Sequence, residues 1–201
     1  TVAPNPYYTP EVARRCMEEI FLPTIRAMQA EGCPFKGCLY FGLMITPDGP
    51  KVIEYNCRFG DPEAQVVLPL LDSDLLTVMT ACTGGTLEDT EVRFRDGAAA
   101  CVILASGGYP VRYEKGKEIT GLTEGQLPGA EDVTVYHAGT AVQDGRLVTA
   151  GGRVLGVTAV AGSLPAALER AYQAADRIRF DKMHRRSDIG RRALQALNVQ
   201  E

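Results

Sequence analysis

Apolar residues recur at roughly helical spacing in the first thirty residues of the chain, at Val12, Cys16, Ile20, Ile25 and Met28. This pattern predicts an amphipathic helix whose apolar side covers a sheet. Thr9 followed by Pro10 is typical of a helix start, because a hydroxyl caps the helix and proline suits its first position. Gly32 is the predicted end. Pro23 lies inside the pattern and should kink or split the helix, since proline has no backbone N–H to donate.

Two extended segments follow, over residues 36–45 and 51–59, separated by the turn-rich residues 46–50. This arrangement predicts an antiparallel hairpin. Side chains alternate between the two faces of a strand, so the second segment should present one polar face made of Val52, Glu54, Asn56 and Arg58. The other face is apolar and is expected to pack on the helices through Ile53, Tyr55, Cys57 and Phe59.

Short helices are predicted next, one opened by Asp61 as its cap with Pro62 in the first position, and a second capped by Ser73. From about Gly97 the chain changes to short strand-like runs over residues 98–105, 133–139, 146–150 and 153–160. A final amphipathic helix is predicted from Ser163. The pattern therefore predicts an α+β protein, which we divide into residues 1–90 and a β-rich domain, 91–201, with a terminal helix.

The amino-acid composition argues against several classes of protein. The chain has 201 residues, of which 45% are hydrophobic and 23% are charged, with a formal net charge of −4. No run approaches the roughly 20 apolar residues of a membrane span, and the chain lacks the basic character of a nucleic-acid-binding protein. Six scattered cysteines without a paired CxxC indicate reduced core residues rather than a zinc site or a disulfide framework. We expect a soluble cytoplasmic protein.

The polar face of the second hairpin strand carries the candidate chemistry. Glu54 and Asn56 are two residues apart, so their oxygens can reach one point above the sheet, where they could bind a hard cation such as Mg²⁺. Arg58 carries a planar fork that suits a phosphate or a carboxylate. A solvated strand face is the alternative interpretation. Asp61 and Glu63 add two carboxylates. Both also have a structural explanation, since Asp61 can cap the following helix and Glu63 can interact with its dipole.

Other polar groups favour structural roles. The glycine pair 107–108 lacks the lysine and spacing of a phosphate-binding loop, so a tight turn is the expected structure. Arg112, Lys115 and Lys117 could face a phosphate, although a solvated basic turn is the favoured reading. His137 lies in a strand-like run and is expected to be simply hydrogen-bonded.

One twelve-residue block is highly specific: Val52-Ile53-Glu54-Tyr55-Asn56-Cys57-Arg58-Phe59-Gly60-Asp61-Pro62-Glu63. It resembles the signature of glycinamide ribonucleotide synthetase, the phosphoribosylamine–glycine ligase family. The similarity covers nearly the whole chain in the family's order, through residues 37–44, 105–110, 136–140, 151–155 and 187–190. Other ATP-grasp ligases share a Glu-x-Asn pattern at this strand but not the continuation that follows it.

The resemblance implies the C-terminal half of an ATP-grasp domain followed by a small β-rich domain with a terminal helix. It implies an ATP-dependent ligase of purine biosynthesis that joins glycine to 5-phosphoribosylamine through glycyl phosphate, giving ADP and phosphate. By the same resemblance, Glu54 and Asn56 match the ligands of a Mg²⁺ or Mn²⁺ ion that bridges the ATP phosphates. Arg58 and Asp61 match positions at the substrate end of the cleft. We expect Arg58 to contact a phosphate or acyl phosphate there and Asp61 to contact or position the amine.

The chain departs from the family pattern in what it lacks. The family's N-terminal domain and the nucleotide-clamping lysine have no counterpart among these residues, so we expect the 201-residue chain alone to be inactive. We also expect the full-length protein to be a monomer. Two other interpretations stay open. One is another ATP-grasp carboxylate–amine ligase, and the other is a non-catalytic module that keeps the ATP-grasp scaffold.

Overall fold

The first helical stretch begins where the sequence predicts it. In the computed structural model, which describes residues 1–198, α1 (Pro10–Cys16) starts after Thr9, whose Oγ1 accepts a hydrogen bond from the Val12 amide at 3.3 Å. The predicted interruption appears as a π-helical segment, Met17–Phe21, followed by α2 (Leu22–Ala30). The wider π turn lies just before Pro23, whose ring and missing N–H do not fit a regular α-helix.

The predicted hairpin is confirmed as β2 (Tyr40–Thr46) and β3 (Gly49–Asn56), which pair antiparallel. It contains a register shift, because Gly42 faces Glu54 whereas the next residue, Leu43, faces Val52. One residue of β3, Ile53, is thus left without an opposite partner, as in a β-bulge.

The bulge corrects the predicted faces of β3. Directly opposed residues share a face of an antiparallel pair, so Val52 lies on the face of Leu43 and not on the face of Glu54. The expectation that Ile53 packs on the helices is also wrong, since its side chain is 62% exposed. The prediction assumed uninterrupted alternation, which one extra residue shifts by one position.

Three aromatic rings attach the hairpin to the helical segment. The ring centroids of Phe21 and Phe41 are 4.4 Å apart, and Phe41 lies 5.3 Å from Tyr55 in an edge-to-face arrangement. Phe41 and Tyr55 are opposed residues of β2 and β3, so the apolar face of the hairpin is the one that meets the helix. Tyr55 is nevertheless half exposed.

The two short helices that follow begin later than predicted. Asp61 is not a cap, because residues 61–63 form a turn and α3 (Ala64–Val67) starts after Glu63, with a 3₁₀ turn at Leu68–Leu70. Asp74, rather than Ser73, caps α4 (Leu75–Gly84), and its Oδ1 accepts a hydrogen bond from the Thr77 amide at 2.7 Å. That bond lowers the pKa of Asp74.

The predicted strands of the second half form a four-stranded antiparallel sheet in the order β1-β4-β8-β5. Its members are β1 (Val2–Ala3), β4 (Ala98–Ala105), β5 (Val133–His137) and β8 (Arg153–Ala161). A separate two-stranded sheet joins β6 (Thr140–Gln143) to β7 (Arg146–Thr149). The sequence pattern did not predict β1 or β6, which are short.

The strand β4 is buried along its length because helices cover it. Val66 and Leu70 pack on Ala99 and Cys101, while α5 (Leu164–Ala175) packs against β4 and β8. As predicted, Ser163 caps α5. A last helix, α6 (Arg191–Asn198), follows.

The chain separates into two compact units that are not contiguous in sequence. The first contains Thr1–Pro4, Pro62–Leu70 and Asp96–Leu194, and therefore the four-stranded sheet with α3 and α5. The second contains Asn5–Asp61 and Leu71–Arg95, and therefore the hairpin with α1, α2 and α4. The division into residues 1–90 and 91–201 stays a prediction. Within residues 1–198, no helix is long and apolar enough to cross a bilayer.

Leu155 tests the core of the first unit. It is fully buried on β8 and lies opposite Leu104 and His137 on the neighbouring strands. We expect Leu155→Ala to lower the free energy of unfolding by about 2–5 kcal/mol, because lost burial adds to the cavity left behind. The change is measured by urea unfolding followed by circular dichroism.

Val142→Ala is the matched control, because the Val142 side chain is 75% exposed on β6 and should change stability by no more than about 0.5 kcal/mol. Equal effects of the two substitutions would contradict the assignment of Leu155 to the core.

Candidate functional site

Glu54 and Asn56 come together on one face of the hairpin, as their spacing predicts. Both lie in β3, and the Asn56 Nδ2 atom donates a hydrogen bond to Oε1 of Glu54 at 3.1 Å. Glu54 is exposed and Asn56 is half-buried. The Glu54 carboxylate and the Asn56 amide group are thereby in contact at the end of the strand.

The Glu54 side chain lies over Gly42 of β2. The two residues are directly opposed, and a Cβ atom added to Gly42 would lie 2.7 Å from Cγ of Glu54 and 3.6 Å from its Cδ. Real Cβ atoms do not approach so closely, so the Glu54 chain occupies space that any other residue at position 42 would take. Sequence patterns did not single out Gly42, although a glycine inside an apolar strand signals such close approach.

The donor set suits a hard divalent cation. Mg²⁺ binds oxygen, usually through one or two protein groups, with phosphates and waters completing its octahedron. Glu54 and Asn56 can supply two such oxygen donors, and the Glu54 side chain lies over Gly42. Throughout residues 1–198, no group of three or more His, Cys, Asp or Glu side chains could hold a metal ion. The pair thus fits a cation that takes its other ligands from a nucleotide and from water.

Arg58 and Asp61 lie beyond the strand that carries the oxygen donors. β3 ends at Asn56, so strand alternation does not extend to Arg58, whose Nη1 donates a hydrogen bond to the Phe59 carbonyl at 2.9 Å. Asp61 follows in the turn before α3 and is exposed. The structure thus pairs Glu54 with Asn56 and places Arg58 and Asp61 on the exposed loop that continues the strand.

The glycine-rich segment forms the expected tight turn. The Tyr109 amide donates to the Ser106 carbonyl at 3.1 Å, and the Val111 amide donates to the Gly108 carbonyl at 3.0 Å. The Tyr109 ring lies against Gly152, where a Cβ atom would collide with it. This contact explains one glycine of the pair at 151–152 by packing rather than by phosphate binding.

The side chains of Lys117 and His137 have protein partners. Lys117 pairs with Glu114 at 2.8 Å and with Asp181 at 3.4 Å, and these bonds raise the pKa of Lys117. The ring of His137 is hydrogen-bonded to Thr140 at 3.0 Å and to the Gly125 carbonyl at 2.8 Å. The structural reading of His137 is confirmed.

Cysteine placement differs from the expectation. Cys16 and Cys101 are buried, as predicted for core residues, but Cys33 and Cys57 are exposed. Cys57 directly follows the last residue of β3, and strand alternation therefore does not carry it into the apolar face.

Two family models match the chain. The model described as "Phosphoribosylglycinamide synthetase, ATP-grasp (A) domain" matches residues 1–64, and "Phosphoribosylglycinamide synthetase, C domain" matches residues 99–192. The first match contains Glu54, Asn56, Arg58 and Asp61.

Individual proteins give the same result. A phosphoribosylamine–glycine ligase of Chlorobaculum tepidum is 51% identical over 96% of this chain, and one of Vibrio parahaemolyticus is 48% identical over 96%. The chain covers 45% and 44% of these two relatives, so it spans less than half the length of the curated relatives that it matches.

Solved structures extend the comparison. The phosphoribosylamine–glycine ligase of Thermotoga maritima superposes with a TM-score of 0.77 at 36% identity, over 90% of this chain and 44% of that one. The biotin carboxylase domain of Hydrogenobacter thermophilus 2-oxoglutarate carboxylase, solved with MgADP and bicarbonate, superposes with a TM-score of 0.60 at 18% identity, over 92% of this chain and 39% of that one. This second similarity shows the fold alone.

Phe41 tests how the hairpin that carries the site is held. An aromatic pair contributes about 0.5–1.5 kcal/mol beyond its buried area, and Phe41 makes two such pairs. We therefore expect Phe41→Ala to lower the free energy of unfolding by about 1–3 kcal/mol and to speed amide hydrogen exchange in β2 and β3. Mass-resolved hydrogen exchange and urea unfolding measure both effects.

Met44→Ala is the control for Phe41→Ala, since Met44 lies in the same strand and is 53% exposed. If both substitutions sped exchange in the hairpin equally, the aromatic contacts would not be what holds it.

Proposed function

The chain belongs to the phosphoribosylglycinamide synthetase family, and from that premise we propose that the full-length protein is an ATP-dependent phosphoribosylamine–glycine ligase. It joins glycine to 5-phosphoribosylamine in purine biosynthesis, and ATP becomes ADP and phosphate. The observation that carries the proposal is the hydrogen-bonded pair of Glu54 and Asn56, which lies within the matched part of the ATP-grasp domain. The proposal concerns the full-length protein, because the chain spans less than half the length of the relatives that it matches.

Glu54 and Asn56 would hold a Mg²⁺ or Mn²⁺ ion through one carboxylate and one amide oxygen. When bound, such an ion neutralises charge on the ATP phosphates and aligns them for transfer. The Asn56 amide, by donating to Glu54, keeps that carboxylate turned toward the shared point. The two residues therefore orient the phosphates, and the chemistry takes place beyond the end of β3.

Arg58 and Asp61 act on the loop that follows. The glycine carboxylate accepts the γ-phosphoryl group of ATP, forming glycyl phosphate and ADP, and the amine of 5-phosphoribosylamine then displaces phosphate to form the amide bond. The planar guanidinium of Arg58 suits the transferred phosphoryl oxygens, since it donates two parallel hydrogen bonds. Asp61 carries a carboxylate that can position the attacking amine and accept the proton it loses.

The remaining expectations belong to the same proposal. The substrates are small molecules, the protein acts in the cytoplasm as a monomer, and neither a nucleic acid nor a membrane takes part. No observation favours the non-catalytic scaffold over the ligase, because a scaffold does not require a hydrogen-bonded carboxylate–amide pair above a glycine. Another carboxylate–amine ligase would use a different acid in place of glycine.

Coupled ADP release by the full-length protein tests the activity. We expect release to require Mg²⁺, glycine and 5-phosphoribosylamine generated in situ together. Release that is indifferent to glycine would exclude this ligase and favour an ATP-grasp enzyme for another acid. The same assay on the 201-residue chain should give no release.

Glu54→Gln tests the cation assignment. Loss of the charged ligand should raise the Mg²⁺ concentration for half-maximal activity by at least about tenfold, since even indirect changes to a metal site cost about 10–100-fold in affinity. Excess Mg²⁺ should restore part of the rate, and Asn56→Ala should behave in the same way. The measurement is ADP release across a Mg²⁺ titration, with Glu88→Gln, an exposed carboxylate in another turn, as control. An unchanged Mg²⁺ requirement in both variants would show that the cation binds elsewhere.

Arg58→Lys tests whether the paired donors of the Arg58 guanidinium are needed for activity. The substitution keeps the charge but loses the paired donors, and losing one charge-assisted hydrogen bond of about 1.5–3 kcal/mol lowers the rate by roughly 10–100-fold. The measurement is kcat/KM for glycine in the full-length protein. Arg95→Lys, an exposed arginine outside the site, should leave kcat/KM unchanged. A rate equal to the parent in Arg58→Lys would leave Arg58 without a role in phosphoryl transfer.

A further inference from the structure

Gly42 occupies a position where glycine is locally unfavourable. It lies inside β2, three residues after Leu39 and directly before Leu43. Glycine weakens a strand interior because it loses the most backbone freedom on folding and has no side chain to pack. Its backbone φ is not in the left-handed region where glycine is required, since no positive φ occurs at this residue. The reason for glycine here is therefore space.

The Glu54 side chain occupies the space next to Gly42. A Cβ atom on residue 42 would lie 2.7 Å from Cγ of Glu54, a separation at which one of the two must move. The backbone of Glu54 is fixed by its pairing with Gly42, so the side chain would have to turn. Turning it moves the carboxylate away from the Asn56 Nδ2 atom, which now lies 3.1 Å from Oε1.

The close approach of Glu54 to Gly42 occurs next to the β-bulge of the hairpin. The register shifts between Gly42 and Leu43, where Ile53 is left unpaired. A bulge increases twist and re-aims the side chains next to it. Glu54 is the residue that follows Ile53, so the carboxylate direction depends on the bulge and on the missing side chain opposite it.

From these contacts we propose that Gly42 is a positioning residue for the cation site. The absence of a side chain at position 42 holds the Glu54 carboxylate across β2 and against Asn56, in the direction in which both oxygens serve one ion. The inference rests on the proposed function, because that function assigns Glu54 and Asn56 to the cation. Gly42 itself contacts neither cation nor substrate and acts only through Glu54.

Manganese binding measures this role without relying on activity. Mn²⁺ affinity of the full-length protein is determined from the electron paramagnetic resonance signal of free Mn²⁺, with ADP held at the protein concentration and the Mn²⁺ bound by ADP in solution subtracted from a protein-free titration. We expect Gly42→Ala to weaken Mn²⁺ binding by about tenfold, the lower end of the range for groups that orient a metal ligand. Gly84→Ala is the matched control, because a Cβ atom on Gly84 has only Thr86 Oγ1 nearby, at 3.8 Å. It should leave the affinity unchanged.

A double substitution separates positioning from general damage. In Glu54→Ala the colliding Cγ atom is gone, so adding Gly42→Ala should change Mn²⁺ affinity no further. If Gly42→Ala alone does not fold, as judged by circular dichroism, the double variant should fold because the collision has been removed. A double variant that also fails to fold, or that binds Mn²⁺ more weakly than Glu54→Ala, overturns the inference.

The same data distinguish this inference from the proposed function. If Glu54→Ala binds Mn²⁺ as tightly as the parent, the cation assignment itself is wrong. If Glu54→Ala weakens binding but Gly42→Ala does not, the cation assignment stands and the positioning role of Gly42 is refuted.

Discussion

The chemistry of this chain depends on the interrupted pairing of one hairpin. A regular hairpin would place Val52, Glu54 and Asn56 on one face, and apolar and polar groups would then share it. The unpaired Ile53 moves Val52 to the other face, beside Leu43. The aromatic contacts of Phe41 and Tyr55 stay on the helical side, and the oxygens of Glu54 and Asn56 stay on the open side. One extra residue thus separates the face of β3 that packs on the helices from the face that carries Glu54 and Asn56.

Much of the fold follows from local rules that act over a few residues. The cap at Thr9, the interruption near Pro23, the hairpin turn and the helix after Ser163 were all predictable, because each depends on hydrogen bonds or sterics within one turn of chain. The family resemblance carried by the block from Val52 to Glu63 was confirmed by the matched domains and relatives. The mixed α+β architecture was confirmed with it.

The errors have a different origin. Ser73 was predicted to cap α4, but in the structure its hydroxyl accepts a hydrogen bond from the Arg93 amide, 20 residues away, and Asp74 is the cap. The bulge at Ile53 depends on how β2 pairs with β3, and alternation within one strand does not contain that information. Gly42 acts on a residue twelve positions later, and its role became visible only when Glu54 was placed opposite. Sequence patterns describe contacts within an element well and contacts between elements poorly.

Two protein oxygen donors, from Glu54 and Asn56, do not complete the octahedral coordination of the proposed cation. A carboxylate and an amide satisfy two positions of an octahedral ion, and within residues 1–198 no group of three or more His, Cys, Asp or Glu side chains could hold a metal ion. The remaining positions are left to phosphates and water, so tight binding of the ion requires the nucleotide. In the proposed site, cation binding would therefore depend on the nucleotide phosphates that complete the coordination of the ion. The orientation of Glu54 then matters more than in a closed cage of several carboxylates, because in such a cage the remaining ligands compensate when one turns away.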